Sequence, residues 1–185
     1  MTAAFRNPRF ESERLLMRPQ TVADAEALHE AYADAGLMTW WSSGPHATLE
    51  ETRAYLAAAD MPTDWRGWVM IDRADAAVIG TLAAHERRPQ VAELGYLVTR
   101  RWWGRGYARE GVTRLIDLLL GEEGYRRVLA DTDPENAASN RLLERLGFTC
   151  EGRLRAEWDT HIGVRDSLIW GLLRQEWFDR RTPIG

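Results

Sequence analysis

Arg100, Arg101 and Arg105 crowd one short stretch together with Gly104 and Gly106. Guanidinium groups bind phosphate bidentately, and glycine lets a backbone come close to a ligand. The residues after the glycines decide whether that chemistry is available. Ala108, Val112, Leu115, Ile116 and Leu119 recur at helical spacing, with Arg109, Glu110, Arg114 and Asp117 on the other face. This pattern predicts an amphipathic helix starting at the glycines. Its first amides have no partner inside the helix and carry the positive end of its dipole. An apolar, β-prone run, Val91–Val98, leads into the turn. Strand, glycine turn and helix start together suit a pyrophosphate. The bland alternative is an ordinary strand–turn–helix with solvated arginines.

Two common phosphate motifs do not fit. A Walker loop requires Gly-Lys-Ser/Thr, and the chain has no lysine at all: its 24 basic residues are all arginine. A dinucleotide fingerprint requires a third glycine where Arg109 stands. A second chemical candidate is Glu93, a carboxylate inside the run AELGYLV. Burying it is costly unless it is partnered or its pKa rises. That suits a general base, or else a structural glutamate in an ion pair.

The pattern Arg101-x-x-Gly104-x-Gly106, placed between strand and helix, resembles the acetyl-CoA loop of the GNAT N-acetyltransferases. Three further segments resemble that family in the right order. They are ERLLMRP near the start, DTDPENAASNRLLERLGF, and GVRDSLIWGLLRQEW near the end. The branch they are most similar to is the RimJ/RimL type, which acetylates ribosomal-protein N-termini.

Composition sets the bounds around this site. A chain of 185 residues can build one cored domain, and 45% hydrophobic with 28% charged residues is ordinary for a globular protein. No run approaches the roughly 20 apolar residues of a membrane span. No secretory signal is read in MTAAFRNPRF, and Cys150 is the single cysteine, so a cytoplasmic protein is expected. A net charge of −4 gives no case for nucleic acid. His29, His46, His85 and His161 show no ligand spacing, so no metal is expected.

The elements that must position the site are marked out by the punctuation. Residues 1–12 read as a loose lead-in, and 13–18 as a first strand ended by Pro19. Thr21-x-x-Asp24 and Thr48-x-x-Glu51 are capping boxes for helices through about Asp34, before a stop at Gly36, and through about Ala59. A turn is expected at 61–64, strands at 66–71 and 77–85, then Val91–Val98. After the long helix come a strand at 126–131 and a helix opened by Asp133-Pro134 and ended by Gly147. Strands at 148–155 and 164–173 flank Trp158 to Gly163, and a short helix ends the chain at 175–180. The expectation is an α/β fold: one GNAT-type domain over 1–185, with a central, mixed, mostly antiparallel sheet of about seven strands flanked by helices.

The resemblance implies a site. The central strand would part from its neighbour and receive pantetheine as an extra strand, with Leu97 and Val98 at the contacts. Arg101, Gly104 and the amides of Arg105, Gly106, Tyr107 and Ala108 would hold the pyrophosphate. Asn136 would bind the pantetheine amide; it could equally be a simple helix cap. Many family members carry a tyrosine acid where this chain has Leu143. The resemblance therefore puts the proton donor to the leaving thiolate at Ser139, which could instead only bind the cofactor. Glu93 would be the base, and a backbone N–H near Val98 would hold the oxyanion.

The expected partners are acetyl-CoA and a primary amine, either a protein N-terminus or a small molecule. Rival readings are an antibiotic- or polyamine-modifying enzyme and a non-catalytic acyl-CoA sensor. Trp40 and Trp41, in a predicted loop, are candidates for acceptor contact or for packing. Glu93 and Glu157 are acceptor candidates, with Asp159 and His161 weaker ones. Trp102 and Trp103 would cover the CoA loop or form a patch for a homodimer. Trp65, Trp68, Trp170 and Trp177 are expected in or near the core.

Overall fold

The computed structural model describes residues 7–41, 43–59 and 65–181. Its centre is one sheet of eight strands in the order β1-β2-β3-β4-β5-β6-β8-β7. The strands are β1 (Phe10–Glu11), β2 (Leu15–Pro19), β3 (Trp65–Asp72), β4 (Val78–Arg88), β5 (Val91–Val98), β6 (Arg127–Thr132), β7 (Thr149–Thr160) and β8 (Gly163–Leu173). Every neighbouring pair is antiparallel except β5 and β6. The helices are α1 (Ala25–Tyr32), α2 (Ala35–Met38), α3 (Leu49–Ala59), α4 (Tyr107–Ile116), α5 (Ala137–Leu146) and α6 (Arg174–Asp179).

Side-chain alternation along β5 sorts the molecule into two cores. Ala92, Leu94, Tyr96 and Val98 point to one face and pack with Val112, Leu115 and Ile116 of α4 and Leu143 and Leu146 of α5. Leu97 points to the other face and packs with Leu28 and Ala31 of α1, Met38 of α2 and Leu56 of α3. Each helix buries one stripe, as its apolar spacing requires.

Several boundaries differ from the sequence expectation, each for a local reason. The lead-in contains the eighth strand, β1, because buried Phe10 packs edge-on against Trp68 at 5.6 Å between centroids. The first helix breaks where Asp34 caps α2, its Oδ1 accepting from Leu37 N at 3.0 Å, so Gly36 lies inside a helix. Asp133-Pro134 does not open α5. Asp133 is drawn into an ion pair with Arg165, and the cap falls to Asn136, whose Oδ1 accepts from Ser139 N at 3.2 Å. β7 runs on through Thr160, so Trp158 and Asp159 are strand residues. The Thr48 cap forms as expected, with Glu51 N donating to its Oγ1 at 3.2 Å. The turn expected at 61–64 lies outside the described residues.

Candidate active site

The phosphate end of the site is the start of α4. Gly104 and Gly106 take φ of 74° and 80°, the left-handed region in which a side chain costs about 1–2 kcal/mol. The first intrahelical bond runs from Glu110 N to Gly106 O at 3.0 Å. Among the described residues nothing accepts from the amides of Arg105 to Arg109. A Cβ built on Gly104 would meet no atom within 4 Å. Gly104 is thus open to a ligand, and Arg14 holds the loop beside it, its Nη1 donating to Arg105 O at 3.1 Å and its Nη2 3.5 Å from a Cβ built on Gly106. Tyr107 offers a ligand only its N–H, because its ring is buried beneath Arg14 and its hydroxyl donates to the Asp72 carboxylate. Ala108 packs against the core.

The three arginines divide. Arg100 grips Asp34 with two bonds of 2.6 and 2.8 Å, which holds that carboxyl down at about 2. Arg101 pairs with Glu30. Both are surface pairs, which contribute little to stability and exchange readily. Arg105 stacks over Trp102 at 4.9 Å and has no carboxylate partner among the described residues. Trp102 packs against the core, while the indole of half-exposed Trp103 donates to Val98 O at 2.7 Å.

From this end an opening runs down the sheet. β5 and β6 pair only at Val91, Ala92 and Glu93 with Arg127, Val128 and Leu129. Beyond Glu93 they part: β5 stays joined to β4 as far as Val98, and β6 to β8 as far as Thr132. Thr99 N donates to Ile79 O, so in the alternating antiparallel ladder Leu97 and Gly95 also turn their polar groups towards β4. Tyr96 and Val98 turn theirs towards the opening. Of the two expected contacts, then, Val98 offers its N–H there; Leu97 does not, and its side chain is buried in the other core.

Helix α5 walls the opening on the α4 side. Asn136 uses Oδ1 for the cap, and its Nδ2 has no acceptor among the described residues. Asn140 ties α5 to β6 through Thr132 Oγ1 at 2.6 Å. Ser139, half-buried, stands in the first turn. Its neighbour from β5 is Tyr96, whose hydroxyl oxygen is shut off from solvent and closes no hydrogen bond of full geometry within the protein. Burial pushes this phenol up to about 12, with the Ser139 hydroxyl beside it working in the opposite direction.

The opposite face carries the carboxylates. Glu93 lies at the apex of the opening, one Oε2 held by Arg87 Nη1 at 2.7 Å and lying 3.4 Å from His85 Nε2. His85 in turn stacks on Trp65 at 3.9 Å. Trp65 is thus a surface stack at 44% exposure, unlike the buried Trp68, Trp170 and Trp177. Two residues beyond Leu129 on the same face is Asp131, accepting from Trp158 Nε1 at 3.0 Å and from buried Ser167 Oγ. The turn joining α2 to α3 closes over this face. Trp41 packs on the second core, its indole 3.5 Å from Tyr55 Oη. A Cβ built on Gly44 would lie 3.5 Å from His161 at the tip of the β7–β8 hairpin. Trp40 is half-buried beside Trp41. Glu157, by contrast, is exposed on a bulge of β7, a stretch pinned by Asp166 accepting from Ala156 N at 2.9 Å.

Tyr96, Asp131, His85 and Arg87 are the residues that sequence reasoning passed over. Alternation along each strand would have put Tyr96 with Leu94 and Asp131 with Leu129. Only the register between strands, set at Glu93↔Leu129 and His85↔Glu93, brings them to the site. A cavity of about 950 Å³ lies at the far end of the sheet between Arg88, Arg126 and Arg174. It contains neither the parted strands nor the α4 amides.

Comparison with known proteins agrees with this geometry. The acetyltransferase (GNAT) domain profile matches residues 14–149. An uncharacterised N-acetyltransferase of Bacillus licheniformis, p20, is 28% identical over 171 residues, 90% of this chain and 96% of that one. The alanine N-acetyltransferase of ribosomal protein uS5 from Escherichia coli is 32% identical over 84 residues, 45% of this chain and 43% of that one. The crystal structure of spermidine N-acetyltransferase from Vibrio cholerae, in complex with CoA and spermine, shares the fold with a TM-score of 0.78. It is 21% identical, covering 90% of this chain and 99% of that one. A sheet parted between its fifth and sixth strands, a glycine-opened helix with free amides, and a domain match over most of the length converge: the chain belongs to the GNAT family of acetyltransferases.

Proposed function

We propose that this enzyme transfers the acetyl group of acetyl-CoA to a primary amine, with a protein N-terminal α-amine as the first acceptor class to test. The carrying observation is the opening between β5 and β6, ended by the Arg105 to Arg109 amides, which have no acceptor among the described residues. Acetyl-CoA fits the residues present: a diphosphate meets amides, a positive helix end and Arg105, and an amide-bearing arm meets Tyr96 and Asn136 Nδ2, with the Val98 N–H left for the acyl carbonyl. When bound it supplies an activated acyl carbonyl and a thiolate leaving group.

The chain's own groups have separable tasks. Asp131 and Glu93 draw an ammonium to the face opposite α5, and the turn carrying Trp40 and Trp41 shelters it. Glu93 has one oxygen, Oε1, outside its Arg87 and His85 contacts, and this oxygen takes the proton of the amine, directly or through water. The Val98 N–H is a fixed dipole aimed at the developing oxyanion. Ser139 donates a hydrogen bond to the departing sulfur. The relationship to the uS5 alanine acetyltransferase favours a peptide N-terminus. A thiol-release screen against N-terminal peptides, polyamines, aminoglycosides and free amino acids tests this reading. Turnover is expected to be highest with a peptide. Preference for a polyamine or aminoglycoside overturns the acceptor class, and no turnover with any amine overturns the enzyme reading.

A further inference from the structure

Tyr96 poses a question that the fold does not answer. Its hydroxyl is buried with no hydrogen bond of full geometry, and a polar group in that position costs stability. Phenylalanine would fill the same space among Leu94, Val98 and Leu143 at no such cost. The hydroxyl does have a neighbour, Ser139, on the first turn of α5. Both stand at the opening, Tyr96 from the strand that lines it and Ser139 from the helix that walls it.

Resting on the acetyl-transfer reading, we propose that Tyr96 is a positioning residue for Ser139. Its hydroxyl donates to Ser139 Oγ and so leaves the Ser139 proton aimed at the departing sulfur. A serine hydroxyl alone rotates freely and can point its proton at any nearby acceptor. Filling its lone pair from behind removes those orientations and polarises the O–H that remains. The assignment also accounts for the aliphatic Leu143 on the same face of α5 as Ser139: the aromatic hydroxyl comes from the central strand, not from the helix. Because burial pushes the phenol up to about 12, Tyr96 keeps its proton across the working range. It orients and is not consumed. An ammonium acceptor loses two protons on becoming an amide: Glu93 takes the first before attack, and water takes the second from the tetrahedral adduct, while the thiolate leaves as the anion, held by Ser139, and is protonated by water after release.

The test compares wild type, Tyr96→Phe, Ser139→Ala and the double variant. Calorimetry with CoA and with desulfo-CoA isolates what the sulfur contributes, without turnover. Wild type is expected to prefer CoA, and Tyr96→Phe to lose most of that preference while binding desulfo-CoA as wild type does. Single-turnover acetyl transfer should fall about tenfold or more in Tyr96→Phe, the loss of one directed hydrogen bond. The double variant should be no slower than Ser139→Ala, since the two act as a unit. Thermal stability of Tyr96→Phe should be equal or higher, which separates this role from packing. Wild-type rate and wild-type CoA preference in Tyr96→Phe would overturn the proposal, as would rate losses that multiply in the double variant. Failure of wild type to bind CoA at all would instead bring down the acetyl-transfer reading itself, and this one with it.

Discussion

Gly104→Ala probes the phosphate cradle with the least collateral damage. At φ 74° the added methyl forces left-handed backbone, costing about 1–2 kcal/mol, which a typical stability of about 5–15 kcal/mol absorbs. Inside the protein the methyl touches nothing within 4 Å, so no repacking is needed. It stands instead where a diphosphate oxygen must approach the amides. Loss of one charge-assisted bond, about 1.5–3 kcal/mol, raises the CoA dissociation constant about 10- to 100-fold. Gly124 supplies the control: its φ is 77°, a Cβ there lies 4.0 Å from Arg174 Nη1, and it precedes β6 at the far end of the sheet. Calorimetry and thermal melts on both variants give the comparison. Gly124→Ala should lose similar stability and bind CoA as wild type does. Equal CoA affinity in the two variants would refute the cradle.

The geometry sets three further outcomes. Glu93→Gln should lower single-turnover rate about 10²- to 10⁴-fold with acetyl-CoA affinity nearly unchanged; a full rate would leave Glu93 as the partner of Arg87 and nothing more. Asp131→Asn should raise the acceptor KM about 10- to 100-fold with CoA binding unaltered, read from initial rates at saturating acetyl-CoA. Acid should loosen the turn over the acceptor face. Burial, helped by His29 and opposed by Glu51, lowers the pKa of His46, which stacks on Tyr32 and bonds Thr52 Oγ1 at 2.9 Å. The unfolded chain therefore binds the extra proton first, and the His46 contribution is complete above about pH 6.5 and lost as pH falls through its lower folded value. Melts between pH 7.5 and 5 should slope downward in wild type and flatten in His46→Gln.

How much of this was legible in the sequence depends on the range of each interaction. The run Val91–Val98, the Gly104 and Gly106 turn and the stripe of α4 were readable because period and glycine chemistry act within a few residues. The eighth strand escaped because two residues carry almost no periodicity; pairing with Met17 and packing on the distant Trp68 ring make Phe10 a strand residue. Asp133-Pro134 had a sound local case for starting α5. Arg165, 32 positions away, outcompeted it, and Asn136 took the cap. At the site, the backbone choice between Leu97 and Val98 turned on which amide pairs with β4, a matter of register between strands. The same register joins Glu93 to His85, and tertiary packing brings Tyr96 to Ser139. Glu157 shows the converse: an acidic residue near a predicted acceptor loop was swung out to solvent by the bulge that precedes Trp158.

The central claim is that CoA lies along the parted strands with its diphosphate on the α4 amides. Backbone amide NMR of the full chain, titrated with CoA, tests it most directly. The account predicts the largest shifts at Arg105 to Arg109, with Tyr96, Val98 and Ser139 moving at the same saturation. Shifts centred instead on the arginine-lined cleft at Arg88, Arg126 and Arg174, or no shifts in folded protein, would contradict it.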